Sequence, residues 1–390
     1  MVALFLNSIG RHLSWFACAF WPGSHDGAPL RPMRVVLLLI GYPLFCGVQL
    51  CHWLGFLIDA VCFPAYRQTV IRTPVFISGI PRSGTTFAHR SLAKDTTHFT
   101  TVSTWEAALA PSIAERKLLR ALAGLDRRLG GLGARWLAAV LSKISGDFDA
   151  IHTVGLNIPE EDYLWLLPTG SCFILLMAFP FSPWLQQTAM LDRAPPHLRE
   201  QLLDFYTSCL RKHLYVNGSE RAILSKNAAF ATWCPALLER FPDAKFLLCV
   251  REPEAALHSQ LSSLRTARKL FATDPDGSTT ARTLTQIFSH SYATLAAFLR
   301  EQPAHKVAVV VQRDLQAAPG AVLRAAAKQL ELPLDAAGEA YLEALQQPHR
   351  SAHQAILSRE ELDPIQIDVC LQSAYQTILQ SESRIPLHRC

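Results

Sequence analysis

The sequence predicts a three-layer α/β/α fold with a central parallel sheet, preceded by an apolar helical N-terminal segment. Three observations carry this. First, short continuous apolar runs occur at Val75-Phe76-Ile77, residues 222–224, Lys245–Val250 and Val307–Val311. They have strand length and no polar alternation, as in strands buried on both faces. Second, segments with helical spacing separate them, at Thr85–Leu92 and residues 195–215, 235–240, 254–268 and 321–330. Strands alternating with helices build a parallel sheet covered on both sides. Third, residues 1–72 carry apolar helical pattern and no strand signal, so residues 73–390 form the α/β domain.

The chain has 390 residues, enough for one large core or two modest ones. Hydrophobic residues make up 50% and charged residues 18%, below the ~25% charged of an average protein. The net charge of +5 suits an anionic ligand or membrane surface. No basic stripe interleaved with aromatics is present, which argues against a nucleic-acid partner. Ten cysteines are scattered without a C-x-x-C pair, the pattern of free thiols in a reducing compartment. One glycosylation sequon, Asn217-Gly218-Ser219, matters only if the domain is lumenal.

Residues 35–58 carry no charged side chain and are bracketed by Arg34 and Asp59. This meets the ~20 residues that a bilayer requires. Pro43, Gln49 and His52 each weigh against burial in lipid. Residues 1–21 are also apolar, interrupted by Arg11 and His12. They lack the basic start and cleavage site of a signal peptide. A helical hairpin seated in one leaflet, through residues 1–60, is therefore expected. The alternative is a helical cap on the main domain. Arg31 and Arg34 on one side and Arg67 and Arg72 on the other leave the orientation unread. Further on, residues 105–145 have helical spacing broken at Gly130-Gly131-Leu132-Gly133. Residues 171–181 are apolar but too short to span a membrane, and Asp274-Pro275-Asp276-Gly277 reads as a mobile loop.

The segment Ile77-Ser78-Gly79-Ile80-Pro81-Arg82-Ser83-Gly84-Thr85-Thr86 joins a strand to a helix. Such a loop offers free backbone N–H groups and the positive end of a helix dipole. Its glycines let the backbone wrap an anion without Cβ clashes. Gly79 and Gly84 bracket four residues, as in a Walker A loop, but Thr85 stands where the lysine would be. Arg82 supplies the charge instead. No apolar strand ends in an Asp suited to Mg²⁺, since Lys245–Val250 runs into Arg251. The fold is thus of P-loop type, with a site for a phosphate-like anion held without metal.

Pro81-Arg82-Ser83-Gly84-Thr85-Thr86 resembles the 5′-phosphosulfate loop of the sulfotransferase superfamily. The resemblance is strongest to the tyrosylprotein and bacterial branch and covers about residues 73 to 360. It implies 3′-phosphoadenosine 5′-phosphosulfate (PAPS) as co-substrate, no metal, and donor binding by Arg82, Ser83, Gly84, Thr85 and Thr86. Arg251 ends a strand and Ser259 follows eight residues later on a helix, so both can face one pocket. An Arg fork and a hydroxyl suit a phosphate dianion. The resemblance assigns this pair to the 3′-phosphate. It also places Lys226, with Arg82, near the transferring group, although Asn227 stands where the family commonly has proline.

Sulfuryl transfer needs a base for the acceptor proton. The resemblance makes Glu106 the first candidate. His152 is the second, with the cluster Pro159-Glu160-Glu161-Asp162, which resembles a segment of bacterial members. His349, Arg350 and His353 fall in a region that often closes the donor site. His89 reads as a packing residue, and no set of residues has metal-ligand spacing. The expected activity is sulfuryl transfer to a hydroxyl or amine of a small-molecule, lipid or glycan acceptor. The domain is expected on the cytosolic face, where activated sulfate is made. A P-loop kinase and a non-catalytic membrane-associated nucleotide-binding protein stay open as alternatives.

Overall fold

Five parallel strands form the central sheet: β1 Val75–Gly79, β2 Phe99–Thr100, β3 Ala222–Lys226, β4 Lys245–Val250 and β5 Val307–Val311. Their order is β2-β3-β1-β4-β5. The computed structural model describes residues 2–20, 28–133, 135, 155–345, 359–362, 365 and 367–387. The chain leaves β1 toward β2 and β3 on one side and later returns to β4 on the other. The C-terminal end of β1 is therefore the topological switch point, where parallel α/β sheets bind ligands.

Side chains alternate between the two faces of the sheet. Phe76, Phe246, Leu248 and Val309 enter one core, with the helices Pro196–Asn217, Ser278–Glu301 and Val369–Gln380. Val75, Ile77, Leu247 and Val310 enter the other, with Thr85–Leu92 and Pro319–Gln329. Burial on both faces is why the runs read as continuously apolar. The two-residue β2 is too short to give such a run, and its sequence signal is absent.

At the N-terminus, Val2–Phe20 is a helix. A second helical run covers Pro32–Val36 and Tyr42–Cys62, with a π-helical turn Leu37–Gly41 between them. Pro43 follows that turn and has no N–H to give the carbonyl four residues back. The two helices meet where His12 Nδ1 and Tyr42 Oη lie 2.7 Å apart. The run Pro32–Cys62 is the one helix among the described residues long and apolar enough to cross a membrane.

One side of that run packs on the α/β body. Trp53 and Phe56 join the Phe205 core, and Trp53 Nε1 donates to Pro168 O at 2.9 Å. The polar positions that weigh against lipid turn inward. His52 contacts Glu115 at 2.6 Å, and Gln49 is buried. Asp59 is fully buried and accepts from the N–H groups of Ile113 and Ala114, each at 2.9 Å. Lys212 pairs with it at 3.2 Å. Asp59 thus caps the helix Ile113–Arg128 and balances a buried lysine.

Two local readings change. Residues 105–145 are not one helix up to the glycine break: Thr104–Ala108 ends, and a capping box at Ser112 and Glu115 starts Ile113–Arg128. Asp274 lies in the expected loop but is anchored there. It is 2% exposed and accepts from the N–H groups of Thr279 and Thr280 at 3.1 and 2.8 Å, capping Ser278–Glu301.

Asp59→Ala strips both the cap and the partner of Lys212. Removing one member of a buried pair costs about 3 kcal/mol or more. The variant should melt at a clearly lower temperature than wild type, and adding Lys212→Met should restore part of the loss.

Candidate active site

β1 ends at Gly79, whose φ is +128°. A Cβ there would stand 2.0 Å from the Cys249 carbonyl oxygen, so the two strand ends approach as only glycine permits. Ile80 N–H donates to that carbonyl at 2.9 Å, and the single Ser83 hydroxyl proton is shared between it and Ile80 O, with Oγ 2.8 Å and 2.5 Å from the two oxygens. The Ser83 hydroxyl therefore braces the loop from within. What it can offer an anion is its backbone N–H. Arg82 sits at φ 66°, a left-handed conformation that costs a non-glycine residue roughly 1–2 kcal/mol. Gly84, at φ +97°, precedes the helix Thr85–Leu92, whose first N–H groups have no intrahelical acceptor.

The left-handed turn at Arg82 aims its side chain across the loop. Arg82 Nε donates to Ser259 Oγ at 3.2 Å, and Arg251 Nη1 donates to Arg82 O at 3.2 Å. Arg251 is itself fixed where Tyr292 Oη donates to its carbonyl at 2.5 Å. Residues far apart in sequence thus converge at the ends of β1 and β4. Burial lowers the Arg82 pKa, and the Arg251 charge lowers it further. Among the described residues, neither guanidinium forms an ion pair with a carboxylate. Glu252, next in the chain, accepts instead from Glu254 and Ala255 N–H at 3.1 and 2.7 Å. Two cations, a hydroxyl and a helix N-terminus together make a receptacle for a multiply charged anion.

Lys226 ends β3 in register with Ile77 of β1, beside the loop. It is 2% exposed and pairs with Glu161 at 2.5 Å, with Glu160 at 3.9 Å. Burial raises the Glu161 pKa, against the opposing pull of Lys226. Asn227, where the resemblance leads one to expect proline, donates its N–H to Ile77 O at 2.9 Å. Proline has no N–H to make this bond. The Asn227 side chain accepts from Tyr163 N–H at 2.9 Å and donates to Asp162. Asparagine therefore ties the acidic segment to the end of the sheet. Burial raises Asp162 to about 6, although hydrogen bonds from Asn227, Ser225 and Tyr206 oppose the rise. His89 is a buried packing residue, 2.6 Å from Thr101 Oγ1. Burial holds it neutral, with a pKa of about 3.

Glu106 has a different setting. It is the third residue of Thr104–Ala108 and closes a capping box with Ser103, at 3.1 Å from its N–H and 2.8 Å from its hydroxyl. Arg120 at 3.3 Å and Asn217 Nδ2 at 3.1 Å donate to its other oxygen, with Arg116 4.0 Å away. Burial alone would raise its pKa, but the Arg116 charge and the Ser103 hydrogen bonds hold it at about 2. A carboxylate held so firmly ionised is a weak proton acceptor. The acidic residue nearest Lys226 is Glu161, with Glu160 farther off. The cluster at 159–162 marked this segment in the sequence, but the lysine it meets lies across a fold that spacing does not reveal. His152, His349, Arg350 and His353 lie outside the described residues. Among those described, no group of three or more metal-ligating side chains is assembled.

The sulfotransferase family model matches residues 177–336, a segment that contains Lys226, Arg251 and Ser259. By structure the chain is similar to the sulfotransferase STF1 of Mycobacterium tuberculosis H37Rv, with a TM-score of 0.66 and 15% identity over 95% of this chain and 92% of that one. It is also similar to the sulfotransferase STF9 of Mycobacterium avium, with a TM-score of 0.61 and 16% identity over 97% and 95%. Among curated proteins, none matches by sequence. The fold is that of sulfotransferases, and the family match over residues 177–336 agrees with the resemblance to that superfamily; the loop at 79–86 lies outside the matched segment.

The depressed pKa of Glu106 has a sign that can be measured. Its ionised form favours the folded state, so the stabilisation is present above the ordinary value of 4.5 and is lost as pH falls toward about 2. That loss amounts to about 3 kcal/mol. Denaturation followed across this window should show a shallower acid slope for Glu106→Gln than for wild type.

Proposed function

We propose that the protein transfers a sulfuryl group from PAPS to a hydroxyl or amine acceptor. The observation that carries this is the convergence of Arg82, Ser259 and Arg251 beside the glycine cradle, with two cations lacking carboxylate partners among the described residues. A donor with phosphate groups at two positions matches two separate cationic groups, and PAPS supplies an activated sulfuryl group on a phosphate leaving group. The backbone N–H groups of Ser83, Gly84, Thr85 and Thr86 and the Arg82 side chain would hold the 5′-phosphosulfate. Arg251 and Ser259 would hold the 3′-phosphate. Lys226, with Arg82, would stabilise charge growing on the leaving phosphate, where electrostatic catalysis acts most strongly.

Glu161 takes the acceptor proton in this reading, because it touches Lys226 and burial raises its pKa. The acceptor oxygen or nitrogen bonds to sulfur, the bond between sulfur and the phosphate oxygen breaks, and the proton passes to the Glu161 carboxylate. Glu106 keeps the helices around the site in place. The acceptor is a small molecule, lipid or glycan. We further propose membrane association through residues 1–60 and a cytosolic active site. The free cysteines among the described residues agree with a reducing, cytosolic face.

Two measurements test this. In calorimetry without Mg²⁺, adenosine 3′,5′-bisphosphate should bind, and Arg251→Ala should weaken it about 30-fold or more, the scale of a charge-assisted hydrogen bond. Binding of ATP only with Mg²⁺ would instead favour a kinase. In turnover assays, Glu161→Gln should lower kcat about 10²- to 10⁴-fold with bisphosphate affinity unchanged. Glu106→Gln should have a much smaller effect, and the reverse ranking would return the base to Glu106.

A further inference from the structure

We propose that the helix Ile113–Arg128 lies in the headgroup region of an anionic lipid leaflet, its outward leucines inserted, as a second membrane contact beside the helix Tyr42–Cys62. A surface helix ordinarily turns its apolar stripe to the core. This one is reversed. Arg116 is fully buried and faces the body, where its Nε donates to Ala110 O at 2.9 Å. Leu118, Leu122, Leu125 and Leu129 are 58%, 50%, 53% and 68% exposed. Their spacing of four, three and four places them within about 60° of one another around the helix axis, on the side opposite Arg116.

The flanks say what covers this stripe. Lys117 and Arg128 are exposed on one flank of the stripe, about 90° to 110° around the axis from its centre; the other flank carries Glu115 and Asp126, which bond His52 and the Gly133 N–H. Exposed leucines with cations along one edge, and with the carboxylates of the other edge already engaged, match an apolar interior beneath anionic headgroups.

The stripe also continues an apolar surface. The helix N-terminus is capped by Asp59, near the end of Tyr42–Cys62, and His52 reaches Glu115 from the same helix. Gly55 lies against Ser112, where an added Cβ would stand 2.4 Å from its hydroxyl. The two helices are thus locked together. Tyr42–Cys62 presents Leu50, Leu54, Leu57 and Val61 outward, at 51%, 57%, 61% and 72% exposure. The inference rests on the membrane association proposed above and not on the sulfuryl transfer.

The test uses the full chain carrying Leu122→Trp, reconstituted with vesicles of phosphatidylcholine and phosphatidylserine. The control is Val369→Trp, at an exposed position on a helix that packs on Pro253–Phe271 and Ser278–Glu301. With brominated acyl chains, the added emission of Leu122→Trp should be quenched several-fold more than that of the control. Omitting phosphatidylserine should reduce the difference. Leu125→Trp serves as a second probe, and thermal melting confirms that each variant is folded. Equal quenching at the stripe and the control position overturns the proposal. So does unquenched emission that shifts to the blue as protein concentration rises, which would place a second copy there. Bisphosphate binding, measured separately, reports on the functional reading alone.

Discussion

The contact between Gly79 and the carbonyl of Cys249 fixes the geometry of the whole site. It joins the ends of β1 and β4 at a separation no side chain would tolerate. Because the same carbonyl receives Ile80 N–H and Ser83 Oγ, the loop is tied to β4 before any ligand enters. The tie turns the chain so that Arg82 can occupy its left-handed conformation and reach Ser259. Arg251, which follows β4, is brought to the loop by the same strand alignment. The parallel sheet thus acts as a jig: register, set by buried apolar side chains, becomes the spacing between charged groups.

A similar logic places the lysine. β3 pairs with β1, so Lys226 ends opposite Ile77, and Asn227 bonds the Ile77 carbonyl. The asparagine ties the local structure together. Its side chain holds the segment carrying Glu161 and Asp162 against the sheet end. Acidic residues remote in sequence are thereby fastened to the buried cation.

Much of this was legible in the sequence because it depends on local pattern. The strands around Phe76, Phe246 and Val309 read as continuous apolar runs because both faces are covered. The glycines at 79 and 84 and the arginine between them announced an anion loop. The pairing of Glu161 with Lys226 was not legible, since it depends on how a non-helical segment crosses the sheet. Nor was the inward turn of the Ser83 hydroxyl, which depends on a neighbouring strand's carbonyl. Asp274 read as a loop residue because Pro and Gly surround it, whereas its burial comes from the helix it caps. Gln49 and His52 looked unfavourable for a lipid-facing helix until packing turned them toward the body.

The paired guanidiniums at Arg82 and Arg251 have a kinetic consequence. Two cations held close, with no carboxylate partner among the described residues, repel each other, and a bound polyanion relieves that repulsion. The relief depends on the charge of the ligand and not on which bond within it has been broken. A reaction product that keeps its phosphates would be gripped much as the reactant was. Such a site holds a polyanionic product about as firmly as the reactant, so departure becomes a candidate for the slow event of a catalytic cycle built on it.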